Sequence, residues 1–248
     1  MREAKCRYFG RCGGCATQHI EYSIQLKNKV NTLATLLKIP TELIKVFSSD
    51  EFGYRNRMDF VVYSKGIGLR EKSQWNSIVE IEECSISNDR LNELLLEVRQ
   101  FFNHERRGAI KYAVIRTPSL GSSVSLVVNE DSQKREDTKA EIHEFARRPT
   151  AANVSIAYVS AGSGDSVSEN FHVIKGDTYL KEKFNGITFE YHMQSFFQNN
   201  SKMAEQMIAY TKKLLSKGED LLDLYGGVGS FGLSMYSMFD KVTVVENS

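Results

Sequence analysis

The sequence predicts an α+β protein that is followed, toward its C-terminal end, by the start of an α/β layer. Two observations predict this fold class. Between about residues 52 and 191, short runs rich in valine, isoleucine and aromatic residues alternate with turns rich in Gly, Ser and Asn, which is typical of a mostly antiparallel β region. After Phe197 the order becomes helix, strand, glycine loop, short helix and strand, which is the opening of a doubly wound parallel sheet.

The composition indicates a globular protein. Its 248 residues can bury one large core or two smaller ones, and 41% hydrophobic with 25% charged residues excludes a disordered or fibrous chain. The net charge of +1 means that any contact with nucleic acid must depend on local basic clusters. The polar start of the chain, and the lack of any apolar run of roughly 18 residues, predict a cytoplasmic protein without a membrane partner.

Hydrophobic spacing predicts four longer helices. The first runs from Glu21 to Lys38 and is expected to end before Pro40, because proline lacks the amide hydrogen that would continue it. The second runs from about Asn88 to Phe102, the third covers KAEIHEFARR, and the fourth follows Phe197. The apolar residues that mark these helices are Leu26, Val30, Leu33 and Leu37 on one face of the first, Leu91, Leu94, Leu95 and Val98 in the second, and Met203, Met207, Tyr210 and Leu214 on one face of the fourth.

The β region is predicted to contain the strands MDFVVY, SIVEI, IKYAVIRT, SVSLVVN, NVSIAYVS and ITFEY. Asn185-Gly186, between KEKF and ITFEY, predicts a tight hairpin because both residues accept positive φ. We divide the chain into an N-terminal segment with its helix (1–50), a mostly antiparallel β domain (51–194) and an incomplete α/β part (195–248). The last part is called incomplete because its two strands, LLDLY and VTVVE, cannot cover their own edges.

Three of the four cysteines lie close together near the N-terminus, which is a poor arrangement for disulfides in a cytosolic chain. Cys6, Cys12 and Cys15 have the pattern C-x5-C-x2-C, and Cys84 follows a predicted strand. Four thiolates can hold a cubane iron–sulfur cluster, and the glycines around Cys12 favour a loop that folds around it. A four-cysteine zinc site fits the count equally well, although its cysteines usually form two C-x2-4-C pairs. Ordinary buried thiols are the third alternative.

A glycine loop follows the strand LLDLY, in the segment DLYGGVGSF. Gly227 and Gly229 allow the backbone to approach a ligand closely. Glu246 ends the next strand about 20 residues later, where an acidic side chain typically accepts hydrogen bonds from ribose hydroxyls. The loop therefore predicts a nucleotide-type cofactor, and S-adenosylmethionine is preferred to a dinucleotide on the expectation that the loop lacks the full G-x-G-x-x-G of dinucleotide sites. For Asp223 and Tyr225 the alternative is a role in the turn and in core packing.

Arg55 and Arg57 stand two positions apart at a strand start in GYRNRMDF, so both can project from one face, where guanidinium groups contact phosphate. Tyr54 and Phe60 flank them, and interleaved aromatic and basic residues suit unpaired RNA, whose bases stack on rings. Two solvated arginines are the alternative. Stacking of Phe197 against a flipped base is a further hypothesis, with core packing as its alternative.

Five segments, in order, resemble the motifs of the iron–sulfur-containing RNA 5-methyluridine (uracil-5-)methyltransferases: CRYFGRCGGCATQHIEYSIQLKNK, GYRNRMDF, ECSISNDRLNELL, QSFFQNN and LLDLYGGVGSFGL. The resemblance covers nearly the whole chain. It implies an N-terminal iron–sulfur segment, a central α+β RNA-binding domain and the start of a Rossmann-like S-adenosylmethionine methyltransferase domain. The implied reaction is methylation of carbon 5 of a uridine in tRNA or 23S-type rRNA.

The resemblance also assigns site residues. It implies that a [4Fe–4S] cluster is held by Cys6, Cys12, Cys15 and Cys84. It implies that S-adenosylmethionine lies on the loop of Gly227 and Gly229, against Gln198, Tyr225, Ser230 and Glu246. RNA is expected to contact Arg55, Arg57 and Phe197. For Gln198 the alternative is a structural polar residue at a domain junction.

Enzymes of this kind add a cysteine thiolate to carbon 6 of uracil, so that carbon 5 can take the methyl group before a base removes its proton. The resembling family has its catalytic cysteine, its general-base glutamate and a later cofactor-side aspartate beyond the position of Ser248. The sequence therefore predicts a C-terminally truncated enzyme that does not methylate by itself. A non-catalytic RNA-binding module, or one chain of a split enzyme, is the alternative. No obligate protein partner is predicted.

Overall fold

The computed structural model describes residues 2–64, 66–102, 108–148 and 150–247. Its α-helices are α1 (Tyr22–Leu37), α2 (Asp89–Phe101), α3 (Arg135–Ala146), α4 (Ser201–Leu214) and α5 (Gly232–Met235). Its strands are β1 (Arg57–Tyr63), β2 (Gly66–Glu71), β3 (Gln74–Glu80), β4 (Ile110–Arg116), β5 (Ser123–Asn129), β6 (Asn153–Val159), β7 (Phe171–Lys175), β8 (Tyr179–Phe184), β9 (Ile187–His192), β10 (Gly218–Leu224) and β11 (Phe239–Val245).

Strands β1 to β7 form one mixed sheet in the order β3-β2-β1-β4-β5-β6-β7. Neighbouring strands run antiparallel except for β5 and β6, which are parallel. Helix α3 joins these two, because parallel neighbours need a crossover connection. The mostly antiparallel region is confirmed, whereas the parallel pair and strands β2 and β7 were not predicted. Strand β2 lacks the expected residue pattern because Gly68 passes so close to β3 that a Cβ would lie 2.0 Å from the carbonyl oxygen of Val79.

Helix α2 packs its predicted face against this sheet. All four residues of that face are fully buried: Leu91, Leu94, Leu95 and Val98. Asn88 caps the helix, since its Oδ1 accepts a hydrogen bond of 2.8 Å from the amide of Leu91. The same oxygen accepts a 3.0 Å bond from the hydroxyl of Thr117, so the cap also fixes α2 to the end of β4.

The apolar faces predicted for α1 and α4 are only partly buried. In α1, Leu37 is 57% exposed and Ala34 is the residue that is buried. In α4, Ala204 and Ile208 are buried, whereas Met207 remains half exposed. Part of these faces, Leu26, Val30 and Leu33 of α1 and Met203 of α4, borders a cleft of ≈ 570 Å³ between α1, the segment 44–51 and the start of α4, and not a packed core.

The hairpin β8–β9 begins a second core. Asn185 and Gly186 have φ of 47° and 83° at its turn, which confirms the predicted tight hairpin. Inside this core, Phe197 packs with residues of the hairpin, of α4 and of α5: Leu180, Phe184, Phe189, Tyr191, Ala204, Ile208 and Met235.

The α/β part begins as predicted. Strands β10 and β11 pair in parallel from Gly218–Phe239 to Leu224–Val245, and the glycine loop and α5 lie between them in the chain. Leu222 and Val245 are exposed on this two-stranded sheet. In the described part of the chain, no helix is both long enough and apolar enough to span a bilayer.

Candidate functional site

One small cavity is lined by all four cysteines of the chain, Cys6, Cys12, Cys15 and Cys84. Three come from the N-terminal loop and Cys84 from the loop before α2. Asn92 of α2 fixes the position of Cys84, because its Oδ1 accepts a 2.8 Å bond from the Cys84 amide and its Nδ2 donates to the Cys84 carbonyl at 3.2 Å. The fold therefore brings together thiols that are far apart in the sequence.

The neutral form is favoured at two thiols of this cavity, Cys12 and Cys15. Burial raises the pKa of Cys12 and of Cys15, and the neighbouring thiols raise both further. The amide of Gly14 partly offsets this at Cys12, where it donates to Sγ at 3.4 Å. Among the described residues, no group of three or more His, Cys, Asp or Glu side chains is arranged to hold a single metal ion. Any metal that binds these thiols must displace their protons.

The two predicted RNA-contacting arginines line one groove of ≈ 870 Å³. Arg57 is engaged by Asp59 through two hydrogen bonds of 2.9 Å. Arg55 also lines the cysteine cavity, where its charge lowers the pKa of Cys15 against the larger effect of burial. The groove and the cavity are thus adjacent, with Arg55 between them.

The hypothesis that Phe197 stacks on a base is contradicted by its burial. Its side chain is 4% exposed, and its ring stacks on Tyr191 with centroids 4.2 Å apart and planes at 13°. A ring packed this way presents no face to a ligand. The preceding residue, Phe196, is 63% exposed and lines the groove with the arginines.

The glycine loop has the backbone shape that close approach of a ligand requires. Tyr225, Gly227 and Gly229 have φ of 58°, 56° and 75°, and a Cβ at Gly227 would meet open space. Glu246 reaches the loop from the end of β11, where its Oε2 accepts a 2.6 Å bond from the amide of Gly227. The expectation that the full dinucleotide motif is missing is wrong, because Gly232 completes a G-x-G-x-x-G spacing. The glycine pattern alone therefore does not separate a dinucleotide from S-adenosylmethionine.

The other residues considered for the cofactor site, Asp223, Ser230 and Gln198, form hydrogen bonds within the fold. The carboxylate of Asp223 accepts a 2.8 Å bond from the amide of Gly232, so it shapes the turn, which was its alternative role. Ser230 is buried, and its carbonyl accepts the hydroxyl of Ser234 at 2.7 Å. Gln198 lies at the junction of the two cores, where its carbonyl accepts a 3.2 Å bond from Asn56.

Arg116 makes a contact next to the groove that the sequence did not predict. Its buried guanidinium donates a 2.7 Å bond from Nη1 to the carbonyl of Ser195, directly before the exposed Phe196. Burial, together with the charge of Arg57, lowers the pKa of Arg116 to about 10, so it stays charged at neutral pH. Its place in an apolar strand, IKYAVIRT, gave no signal of this contact.

Comparison with known proteins identifies the family. A family model described as tRNA (Uracil-5-)-methyltransferase matches residues 21–248. The chain belongs to this family. A tRNA (uracil(54)-C(5))-methyltransferase of Pyrococcus horikoshii is 33% identical over 96% of the chain and 58% of its own length. A 23S rRNA (uracil(747)-C(5))-methyltransferase of Pyrococcus abyssi is 26% identical over 98% of the chain and 59% of its own length.

The fold is that of a solved member. The crystal structure of Pyrococcus abyssi tRNA (uracil-54, C5)-methyltransferase in complex with S-adenosyl-L-homocysteine matches with a TM-score of 0.78 and 26% identity. The match covers 95% of this chain and 59% of that protein. The chain therefore spans a little under three fifths of the length of these relatives.

Proposed function

We propose that this chain provides the RNA-binding part and the first cofactor-binding part of an S-adenosylmethionine-dependent enzyme that methylates carbon 5 of a uridine in tRNA. The observation that carries this is the match to the tRNA (uracil-54, C5)-methyltransferase structure, which contains S-adenosyl-L-homocysteine. A uridine of 23S-type rRNA is the second candidate, since the Pyrococcus abyssi rRNA methyltransferase matches along almost the whole chain.

The residues of the glycine loop fit S-adenosylmethionine, which would supply the methyl group. The backbone at Gly227 is open to a ligand, and the carboxylate of Glu246 lies beside it, at the carboxyl end of a parallel strand where ribose hydroxyls are usually bound. Tyr225 stands at the same edge with an exposed ring. Gln198 and Ser230 are expected to complete the site.

The cysteine cavity fits a [4Fe–4S] cluster held by Cys6, Cys12, Cys15 and Cys84. Four thiols on one cavity supply one sulfur ligand for each iron. The cluster would join the N-terminal loop to the loop before α2 and so act as a structural staple. If all four thiols are ligands, none of them is left to attack carbon 6 of uracil, and we expect the chain alone not to transfer methyl groups.

Cofactor binding is tested by titrating S-adenosylhomocysteine into the chain in a calorimeter. We expect binding by the wild-type chain and at least a tenfold weaker affinity in Glu246→Gln, since about 1.4 kcal/mol corresponds to a factor of ten. Glu219→Gln is the matched control, because Glu219 is exposed on the neighbouring strand β10. Equal affinity of both variants would place the cofactor elsewhere.

The cluster is tested by anaerobic purification and measurement of iron and acid-labile sulfide. About four of each per chain are expected, with a loss in Cys84→Ser and none in Ser85→Ala, its neighbour on the same cavity. Zinc in place of iron would contradict the cluster.

The activity is tested with unmodified tRNA and rRNA-fragment transcripts and radiolabelled S-adenosylmethionine. We expect the transcripts to bind to the chain without becoming methylated. Methyl transfer by the chain alone would contradict the assignment of its cysteines.

A further inference from the structure

Trp75 is an exposed aromatic residue beside the arginine groove. It is the single tryptophan of the chain, it lies near the start of β3, and its indole is 78% exposed. Tryptophan side chains are highly buried on average, so an indole as exposed as this one is unusual. The ring lines the same groove as Arg55, Arg57 and Phe196.

The β2–β3 hairpin that carries Trp75 is braced from two sides. The cysteine loop holds its backbone, since the amide of Gly13 donates to the carbonyl of Arg70 at 2.9 Å and the amide of Lys72 donates to Arg11 at 2.7 Å. The guanidinium of Arg70 donates to the carbonyl of Trp75 and, at 3.4 Å, to the hydroxyl of Tyr112. The indole is therefore presented by a fixed hairpin.

The charges of the groove favour an anionic ligand. Arg70 donates to two neutral acceptors, so these contacts leave its positive charge uncompensated. Two acidic residues also line the groove: Asp59 is paired with Arg57, whereas Glu71 accepts a 2.5 Å bond from the neutral hydroxyl of Ser77 and keeps its charge. The three arginines that line the groove, Arg55, Arg57 and Arg70, therefore exceed its carboxylates by one charge. A groove with positive charge and exposed rings is typical of proteins that bind single-stranded nucleic acid.

We propose that Trp75 stacks on an unpaired base of the RNA, and that the groove takes a single-stranded segment while Arg70 contacts its phosphates. A duplex would not bind in this way, because its bases stack on one another and leave no face for the indole. This inference rests on the proposed function and specifies the part of the RNA that the groove recognises.

Because Trp75 is the single tryptophan of the chain, its fluorescence reports directly on the proposed contact. A fluorescein-labelled unpaired RNA of about a dozen nucleotides, within the usual range of such sites, is titrated against the 248-residue chain, and the same unlabelled RNA is used to follow indole emission. We expect the single strand to quench the emission and its duplex with the complementary strand to quench it less. Trp75→Ala should weaken binding roughly 5- to 150-fold, since one stacked base contributes about 1–3 kcal/mol. Trp75→Phe should retain most of the affinity.

Tyr236→Ala is the matched control, because Tyr236 is 64% exposed and does not line the groove. Circular dichroism melting should give the same Tm for all three variants and the wild type. Unchanged affinity of Trp75→Ala, or RNA binding without a change in indole emission, would overturn the stacking while leaving RNA recognition and the proposed function intact. A wild-type chain that binds S-adenosylhomocysteine but no RNA would overturn both the stacking and the RNA part of the proposed function.

Discussion

Arg57 and Asp59 lie two residues apart on β1 and form two parallel hydrogen bonds, from Nε to Oδ1 and from Nη2 to Oδ2, each 2.9 Å long. Alternate residues of a strand project from the same face, so this pairing follows from the sequence R-M-D. The carboxylate compensates one of the two arginines expected to contact phosphate. We therefore expect Arg57 to shape the groove, and Arg55 and Arg70 to contribute more of the attraction to RNA.

The Arg57–Asp59 pair predicts a specific loss of stability in acid. Burial alone would raise the pKa of Asp59, but the hydrogen bonds and charge of Arg57, with the hydroxyl of Ser166, lower it below its usual 3.8. A carboxyl group with a lowered pKa in the folded state stabilises the fold above its unfolded pKa, and this contribution disappears as pH falls through the folded pKa. The free energy of unfolding of the wild type should therefore fall below about pH 4.

Asp59→Asn should lack this part of the acid dependence and should be about 1 kcal/mol less stable at pH 7, since Arg57 loses a charged acceptor. The measurement is urea unfolding at a series of pH values. Glu144→Gln, which removes an exposed ion pair with Arg148, is the control and should change stability by less than about 0.5 kcal/mol. Parallel pH curves for wild type and Asp59→Asn would contradict the role of the pair.

A second prediction concerns Glu182, a fully buried carboxylate at the junction of the two cores. It accepts 3.0 Å bonds from the hydroxyl of Ser201 and the amide of Ser119, so it joins α4 and the loop after β4 to the hairpin β8–β9. Glu182→Ala leaves these donors without a buried acceptor and should cost about 2–4 kcal/mol in unfolding free energy.

Glu190→Ala is the matched control for Glu182→Ala. Glu190 lies on the same hairpin but is half exposed and pairs with Lys181 at 3.0 Å, so its loss should cost less than about 1 kcal/mol. Both free energies come from chemical unfolding. Similar values for the two variants would show that Glu182 does not link the cores.

The contrast between α2 and Glu182 shows what the sequence could predict. The apolar spacing of α2 and the Asn185-Gly186 turn depend on local rules, and the structure confirms them. The contacts of Glu182 and Arg116 depend on residues 63 and 79 positions away. The local sequence does not show which distant residue will contact a polar residue in a strand.

The same reasoning applies to the site. The cysteine motif and the glycine loop could be recognised from local spacing, whereas their roles as ligand sites stay predictions. The choice between Phe196 and Phe197 could not be made this way, since two adjacent aromatic residues at a junction carry no periodicity. Trp75 was missed because an aromatic residue in a predicted β region is normally a packing residue.

The backbone of Gly227 gives a third prediction. Its φ of 56° lies in the left-handed region, whereas a Cβ there would meet no atom within 4 Å. Gly227→Ala should therefore cost only about 1 kcal/mol in stability, from backbone strain. It should weaken S-adenosylhomocysteine binding at least tenfold, because the methyl group fills the space that the ligand would take.

Gly162→Ala is the control for this variant. A Cβ at Gly162 also meets open space, but its backbone is not in the left-handed region, so neither stability nor cofactor affinity should change. Calorimetric titration and thermal melting give both quantities. If Gly227→Ala bound the cofactor as well as Gly162→Ala did, the ligand would have to lie away from this loop.

The last prediction concerns the neighbours Phe196 and Phe197. We expect one of them to stabilise the fold and the other to bind RNA. Phe197 stacks on Tyr191 inside the second core, so Phe197→Ala should lower the free energy of unfolding by about 3–5 kcal/mol. Phe196 is exposed over the groove and held in place by the bond from Arg116 to Ser195, so Phe196→Ala should leave stability unchanged and weaken binding of unpaired RNA several-fold. Urea unfolding and RNA titration of both variants test this. The opposite pattern, a stable Phe197→Ala that no longer binds RNA, would restore Phe197 as the stacking residue and require its ring to leave the core on binding.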